Sequence, residues 1–134
     1  MRAMSKIQVF SDLSKLCSLE SVGEHGYRQV HVDLANAGSK SQLLEALKTG
    51  MQLPDYFGRN WDALEECLRD LDKRNGWLVV FENADSLLSL PRSELSTFIA
   101  ILFDTAEFWS AEGRLFRFVF IGSAALAAAL EDVH

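Results

Sequence analysis

Residues 53–72 of the chain read Leu-Pro-Asp-Tyr-Phe-Gly-Arg-Asn-Trp-Asp-Ala-Leu-Glu-Glu-Cys-Leu-Arg-Asp-Leu-Asp. The apolar residues of this stretch recur at the spacing of one helix face, because Leu64, Leu68 and Leu71 follow Trp61 by three, seven and ten positions. The stretch therefore predicts a helix that begins at Trp61 and buries this apolar stripe against a core.

The residues before Trp61 are typical of a loop that leads into a helix. Pro54 restricts its own backbone angle φ, and Gly58 permits a positive φ. Asn60 is a residue type that caps helix starts, and Asp62 places a carboxylate in the first turn, where the helix end is positive. We therefore expect a structured loop that ends at Asn60.

The face opposite the apolar stripe is acidic. Asp62, Glu65, Glu66 and Arg69 fall within about a third of the helix circumference. Residues 53–72 hold six carboxylates against two arginines, whereas the whole chain has a net charge of -6. An ordinary solvated face is one interpretation of this pattern. The other is a surface for a positively charged partner, because like charges at Asp62 and Glu66 cost stability without helping the fold.

Length and composition predict one domain. The chain has 134 residues, of which 49% are hydrophobic and 24% charged, in the range of globular proteins. It has no apolar run of membrane-spanning length and no signal peptide at its start, so we expect a cytoplasmic protein without membrane contact. A pI near 5.0 disfavours nucleic acid as a direct partner and favours a basic protein.

Three stretches have the patterns of strands. Residues 27–34 alternate between apolar and polar side chains, residues 77–81 are continuously apolar, and residues 115–121 place three phenylalanines on one face. Helical patterns separate them, and crossovers of that kind join parallel strands. The predicted fold class is α/β, with a small three-stranded parallel sheet and helices.

The helices and the remaining segments complete this outline. Leucines at helical spacing after a cap at Ser39 or Ser41 predict a helix that Gly50 ends, and a long helix is expected between Pro91 and Gly113. We assign a core to residues 27–122. Residues 1–26, with a weak strand signal at positions 7–10, form an N-terminal extension, and residues 123–134 form a helix-prone C-terminal tail.

The sequence offers little for catalysis, metals or cofactors. His31 lies on the wet face of a strand with no nucleophile beside it, and general acid-base catalysis needs a positioned partner. Cys67 lies among carboxylates that disfavour its thiolate. Asp62 and Glu66 are four residues apart and could share a divalent ion, but oxygen sites normally recruit ligands from several elements. We therefore expect no enzymatic activity, no cofactor and no metal.

Residues 53–68 resemble the signature segment of the barstar family of intracellular ribonuclease inhibitors, and the order of strands and helices extends the resemblance over about residues 27–122. It implies a parallel α/β fold whose acidic helix and preceding loop block the cationic active site of a secreted ribonuclease. Tyr56, Gly58, Asn60 and Asp62 match the family's binding segment, and Glu66 keeps the charge of a family aspartate on a longer side chain.

Other positions depart from the family pattern. Glu65 stands where barstar has tryptophan, and its acidity makes it a further candidate contact. Arg69 stands where barstar is uncharged, and Phe108 falls where barstar has a contacting glutamate, whereas Glu112 matches a family acid. The leading hypothesis is a protein inhibitor of a basic ribonuclease or toxin. The alternatives are a regulatory module that binds another basic partner and a metal-dependent hydrolase that uses the same carboxylates.

Overall fold

The computed structural model describes residues 7–10, 27–54, 60–72 and 76–133. The elements in chain order are β1 (Ile7–Phe10), β2 (Tyr27–Asp33), α1 (Lys40–Met51), α2 (Trp61–Arg69), β3 (Gly76–Glu82), a 3₁₀ helix (Ala84–Ser89), α3 (Arg92–Ala111), β4 (Phe116–Ile121) and α4 (Ala124–Val133). Within these ranges, no helix combines the length and the apolar character that a bilayer crossing requires.

The sheet is parallel, which confirms the predicted α/β class. The described strands lie in the order β1-β4-β3-β2, so the three predicted strands are direct neighbours. The sheet has one strand more than the predicted three, because β1 pairs with β4 from Ile7 opposite Phe118 to Phe10 opposite Ile121. The weak strand signal at positions 7–10 is therefore confirmed, and this strand belongs to the same sheet as the three predicted strands.

Burial along the strands follows the predicted patterns. In β2, Val32 is fully buried while Gln29 and His31 are exposed. In β3, six of the seven residues are buried, as expected for a strand covered on both faces. β3 also lies between β2 and β4, so both of its edges are paired.

The core centres on aromatic side chains between the sheet and the helices. Phe81 stacks on Phe120, with 4.7 Å between ring centroids, and on Phe118, and it meets the ring edge of Phe98 on α3 at 5.9 Å. Phe116 also belongs to this layer, so the predicted phenylalanine face of β4 is confirmed. The face of the sheet that these rings occupy carries the helices.

Helix ends confirm two predictions and correct one. Ser39 caps α1, since its hydroxyl accepts a hydrogen bond from the backbone N–H of Gln42 at 3.3 Å, and Gly113 follows α3 with φ of 75°. Gly50, however, does not end α1, which continues to Met51 and closes at Gln52 with φ of 56°. The glycine is needed for packing, because a Cβ atom there would lie 2.8 Å from Val32 Cγ2.

The hydroxyl of Thr105 is a weak point of the core. Thr105 on α3 is fully buried, and its Oγ1 has no hydrogen-bond partner in the part of the chain that the structure describes. We expect Thr105→Val to raise the free energy of unfolding by about 1 kcal/mol, because it removes an unsatisfied polar group. Urea denaturation measures the effect. Thr97→Val on the same helix is the control and should bring no gain, because the Thr97 hydroxyl donates to the Ser93 carbonyl at 3.0 Å.

Candidate functional site

The acidic helix begins where the sequence predicts. Asn60 has the extended backbone of a cap residue, and its Oδ1 accepts a hydrogen bond from the backbone N–H of Ala63 at 2.8 Å. Asp62 follows in the first turn, where the helix dipole favours a negative charge. Tyr56 and Gly58, the other predicted contact residues of this segment, lie outside the described residues.

Helix α2 is held on the core by its apolar stripe and by two indole hydrogen bonds. Leu64 and Leu68 are fully buried, as predicted, whereas Trp61 is half-buried and stacks on Phe98 of α3. The Trp61 indole N–H donates to Glu94 Oε1 at 2.9 Å, near the start of the helix. The Trp109 indole N–H donates to the carbonyl oxygen of Leu68 at 3.1 Å, near its end. Both ends of α2 are therefore tied to α3.

The carboxylates of α2 differ in their surroundings. Asp62 and Glu66 are exposed, and neither forms an ion pair with a cation of the described residues. Glu65 is half-buried, and its Oε2 accepts a hydrogen bond from Arg69 Nη2 at 3.2 Å. Of the three predicted acidic contacts, Asp62 and Glu66 are therefore directed to solvent. The charge of Glu65 is largely compensated by Arg69 on the same helix.

Sequence reasoning missed the packing of Arg69. Its guanidinium carbon lies 4.9 Å from the centroid of the Phe108 ring on α3, which gives the cation an aromatic face as well as a carboxylate. Arg69 and Phe108 both depart from the family pattern, so their joint departure was a usable signal. A second cation lies near α2, since Nζ of Lys40 at the start of α1 is 5.5 Å from the centroid of the Trp61 ring. The pattern of a single helix could not indicate this contact, because it joins two helices.

Cys67 and His31, the two residues considered for catalysis, both lie beside carboxylates. Burial raises the pKa of the Cys67 thiol above its ordinary value, and the carboxylates of Asp70 and Glu66 raise it further. His31 Nδ1 lies 2.8 Å from Glu82 Oε2 on the neighbouring strand. In the described ranges, no three His, Cys, Asp or Glu side chains are grouped as a metal ion would require.

Comparison with solved structures shows the fold alone. The chain is similar to Cdc6p from Pyrobaculum aerophilum, with 18% identity, a TM-score of 0.55 and coverage of 94% of this chain and 34% of that chain. It is also similar to the ORC2 protein of Aeropyrum pernix, solved as ADPNP-ADP complexes, with 15% identity, a TM-score of 0.59 and coverage of 94% and 36%. The chain thus spans about a third of the length of each protein.

Comparison with family models gives a more specific result. No curated protein was found to match the sequence. The model of the family described as "Barstar (barnase inhibitor)" matches residues 27–121, from the first residue of β2 to the last residue of β4. The match takes in β2, β3, β4 and the helices between them, including the whole of α2. This chain therefore belongs to the barstar family.

Proposed function

We propose that this chain is a cytoplasmic protein inhibitor of a ribonuclease, which blocks a cationic active site with α2 and the loop before it. The observation that carries the proposal is the exposure of Asp62 and Glu66 on a firmly anchored helix of a barstar-family chain. The family is described by the inhibition of a ribonuclease, and a ribonuclease cleft must be cationic to hold RNA phosphates.

Inhibition of this kind requires occupation of the cleft and no chemical step. The carboxylates of Asp62 and Glu66 would take the places of phosphate groups and accept hydrogen bonds from Arg and Lys side chains of the enzyme. Because α2 is held at both ends, little conformational freedom is lost on binding, which favours affinity. Complementary charge also accelerates association, so the association rate should fall as salt concentration rises.

The other candidate residues position the acidic helix or add further contacts to the ribonuclease. Asn60 holds the start of the helix and so sets the position of Asp62. Tyr56 is a proposed contact at the rim, and Gly58 is a further proposed contact of the same segment, as the family resemblance implies. Glu65 would contribute less than its charge suggests, because Arg69 already binds it.

The experiment compares two double variants against a panel of basic secreted ribonucleases by isothermal titration and RNA cleavage assays. Asp62→Ala with Glu66→Ala should weaken binding by at least about 100-fold, because it removes at least two hydrogen bonds to charged groups. Asp104→Ala with Glu131→Ala removes the same net charge from exposed positions on α3 and α4 and should change affinity by less than about threefold. Inhibition that survives the first double variant would refute the proposal.

A non-inhibitory module that binds another basic partner is the second candidate. The assembly of Glu65, Arg69 and Phe108 favours it, because this assembly places a cation on the acidic helix where the family's inhibitor is uncharged. Binding that depends on Asp62 and Glu66 but leaves RNA cleavage intact would identify this function. Nucleotide binding is not proposed, since the sequence has no glycine-rich phosphate-binding motif.

A further inference from the structure

The outward face of α2 changes the sign of its charge along the helix. Asp62 and Arg69 are seven residues apart, about two helical turns, so their side chains leave the helix in nearly the same direction and about 10 Å apart along its axis. Glu66 lies between them on the same side. The face therefore begins with two carboxylates and ends with a cation in the last turn.

Arg69 is held in place, although arginine side chains on a surface usually sample several conformations. Its guanidinium carbon lies 4.9 Å from the centroid of the Phe108 ring, and its Nη2 donates a hydrogen bond to Glu65 Oε2 at 3.2 Å. One contact comes from α3 and the other from α2, and the Trp109 hydrogen bond ties these two helices together. Because 42% of the Arg69 side chain is still exposed, α2 presents a localised positive charge to solvent.

The Glu65 carboxylate balances the charge of Arg69 but does not cover it. The exposed fraction of its side chain is 33%, against 42% for Arg69. At about 3.6 residues per turn, Arg69 lies about 20° from the direction of Asp62 around the helix, whereas Glu65 lies about 60° from it. The cation is therefore closer than its partner carboxylate to the line of the exposed acidic side chains.

A protein that covers Asp62 and Glu66 also covers Arg69. Stable interfaces bury about 800 Å² on each partner, a patch much wider than the separation of about 10 Å between the two ends of this face. A lysine or arginine of the partner opposite Arg69 would be repelled in a site from which water is excluded. A neutral or acidic residue there meets no such penalty, so a fixed cation distinguishes between basic partners.

We propose that Arg69 is a specificity-determining residue of the acidic face. It admits ribonucleases whose cationic cleft is neutral or acidic opposite the end of α2, and it rejects those that carry Lys or Arg at that place. This inference rests on the proposed inhibitor function, because it names the class of ribonuclease that the face accepts.

The test begins with the ribonuclease of the basic secreted panel that the wild-type chain binds most tightly. Lysine is substituted in turn at each exposed neutral or acidic position around the cleft of that enzyme, and isothermal titration gives Kd for every enzyme variant. At least one lysine should weaken binding to the wild-type chain by about tenfold or more, and Arg69→Gln should restore at least about tenfold of that loss, because the like-charge contact is gone. The unmodified enzyme should gain no affinity for Arg69→Gln.

The matched control is Arg117→Gln on β4. Arg117 alternates with the buried phenylalanines of its strand, so it lies on the side of the sheet away from α2. The substitution removes the same charge as Arg69→Gln, and should change every Kd by less than about threefold and restore no lysine variant. A general effect of net charge is thereby separated from an effect of position.

A second measurement needs no partner. Paramagnetic relaxation of side-chain protons by a small cationic and a small anionic nitroxide reports the local electrostatic potential. The ratio of cationic to anionic relaxation should be at least about twofold higher at Asp62 than at Arg69, since the potential differs along the face. Arg69→Gln should remove this difference, whereas Arg117→Gln should leave it unchanged.

Three results would overturn the inference and leave the inhibitor function in place. They are an equal loss of affinity of Arg69→Gln for all enzyme variants, as expected if the cation only stabilises the helix end, a failure of Arg69→Gln to restore any lysine variant, and equal nitroxide ratios at Asp62 and Arg69. If neither chain binds any ribonuclease, the proposed function fails and this inference fails with it.

Discussion

Trp109→Ala should lower the free energy of unfolding by about 4 kcal/mol, a large share of the stability of a domain of this size. Trp109 is fully buried, and its ring meets the edge of Phe116 with centroids 5.1 Å apart. The indole N–H also satisfies the Leu68 carbonyl near the end of α2, where helix carbonyls lack partners within the helix. The substitution therefore opens a cavity and loosens the acidic helix.

Urea denaturation of two further variants separates these effects. Trp109→Phe keeps most of the apolar volume but loses the hydrogen bond, so we expect a loss of about 2 kcal/mol. Leu88→Ala removes an apolar side chain that is 45% exposed, and should change stability by less than about 0.5 kcal/mol. A loss of under about 1 kcal/mol for Trp109→Ala would contradict the anchoring of α2 through Trp109.

Gly50→Val should be the second most damaging substitution, with an expected loss of about 3 kcal/mol. A Cβ atom at Gly50 would lie 2.8 Å from Val32 Cγ2 and 2.9 Å from Val32 Cα. Because β2 is paired with β3 along its whole length, Val32 can yield only if this pairing is disturbed. Gly50→Ala meets the same contact but gains about 1 kcal/mol in helix propensity, so its loss should be smaller.

The matched control for Gly50 is Gly38→Ala. The nearest atom to a Cβ atom at Gly38 is Ser89 Cβ at 3.4 Å, an ordinary contact distance. We expect no loss there, and a gain of up to about 1 kcal/mol from the reduced freedom of the unfolded chain. Thermal melting of the three glycine variants gives the comparison. Equal stability of Gly50→Val and Gly38→Ala would show that α1 and β2 tolerate a wider separation.

Local patterns were sufficient to predict most of the fold. The alternation in β2, the continuous apolar run of β3 and the phenylalanine face of β4 each identify a strand and its buried side. The start of α2 was predicted from Asn60 and the leucine spacing, since capping and helix periodicity involve residues close in sequence. For β1, the local pattern gave only a weak strand signal and did not show that the strand pairs with β4, because that pairing joins segments more than a hundred residues apart.

The candidate site was predictable in part. Exposure of Asp62 and Glu66 follows from the helix period, which places them opposite Leu64 and Leu68. The pairing of Glu65 with Arg69 could be anticipated as one option from their spacing of four residues. The ring of Phe108 beneath Arg69 could not, because it belongs to a helix some forty residues further along the chain.

The amino-acid sequence by itself determined the order of the elements, the buried face of each and the acidity of α2. These properties depend on periodicities and capping preferences that act within a few residues. Tertiary structure alone decided that Arg69 packs on the Phe108 ring and that Gly50 must be a glycine. Each of these depends on distances between segments far apart in the chain, and only the packed fold sets such distances.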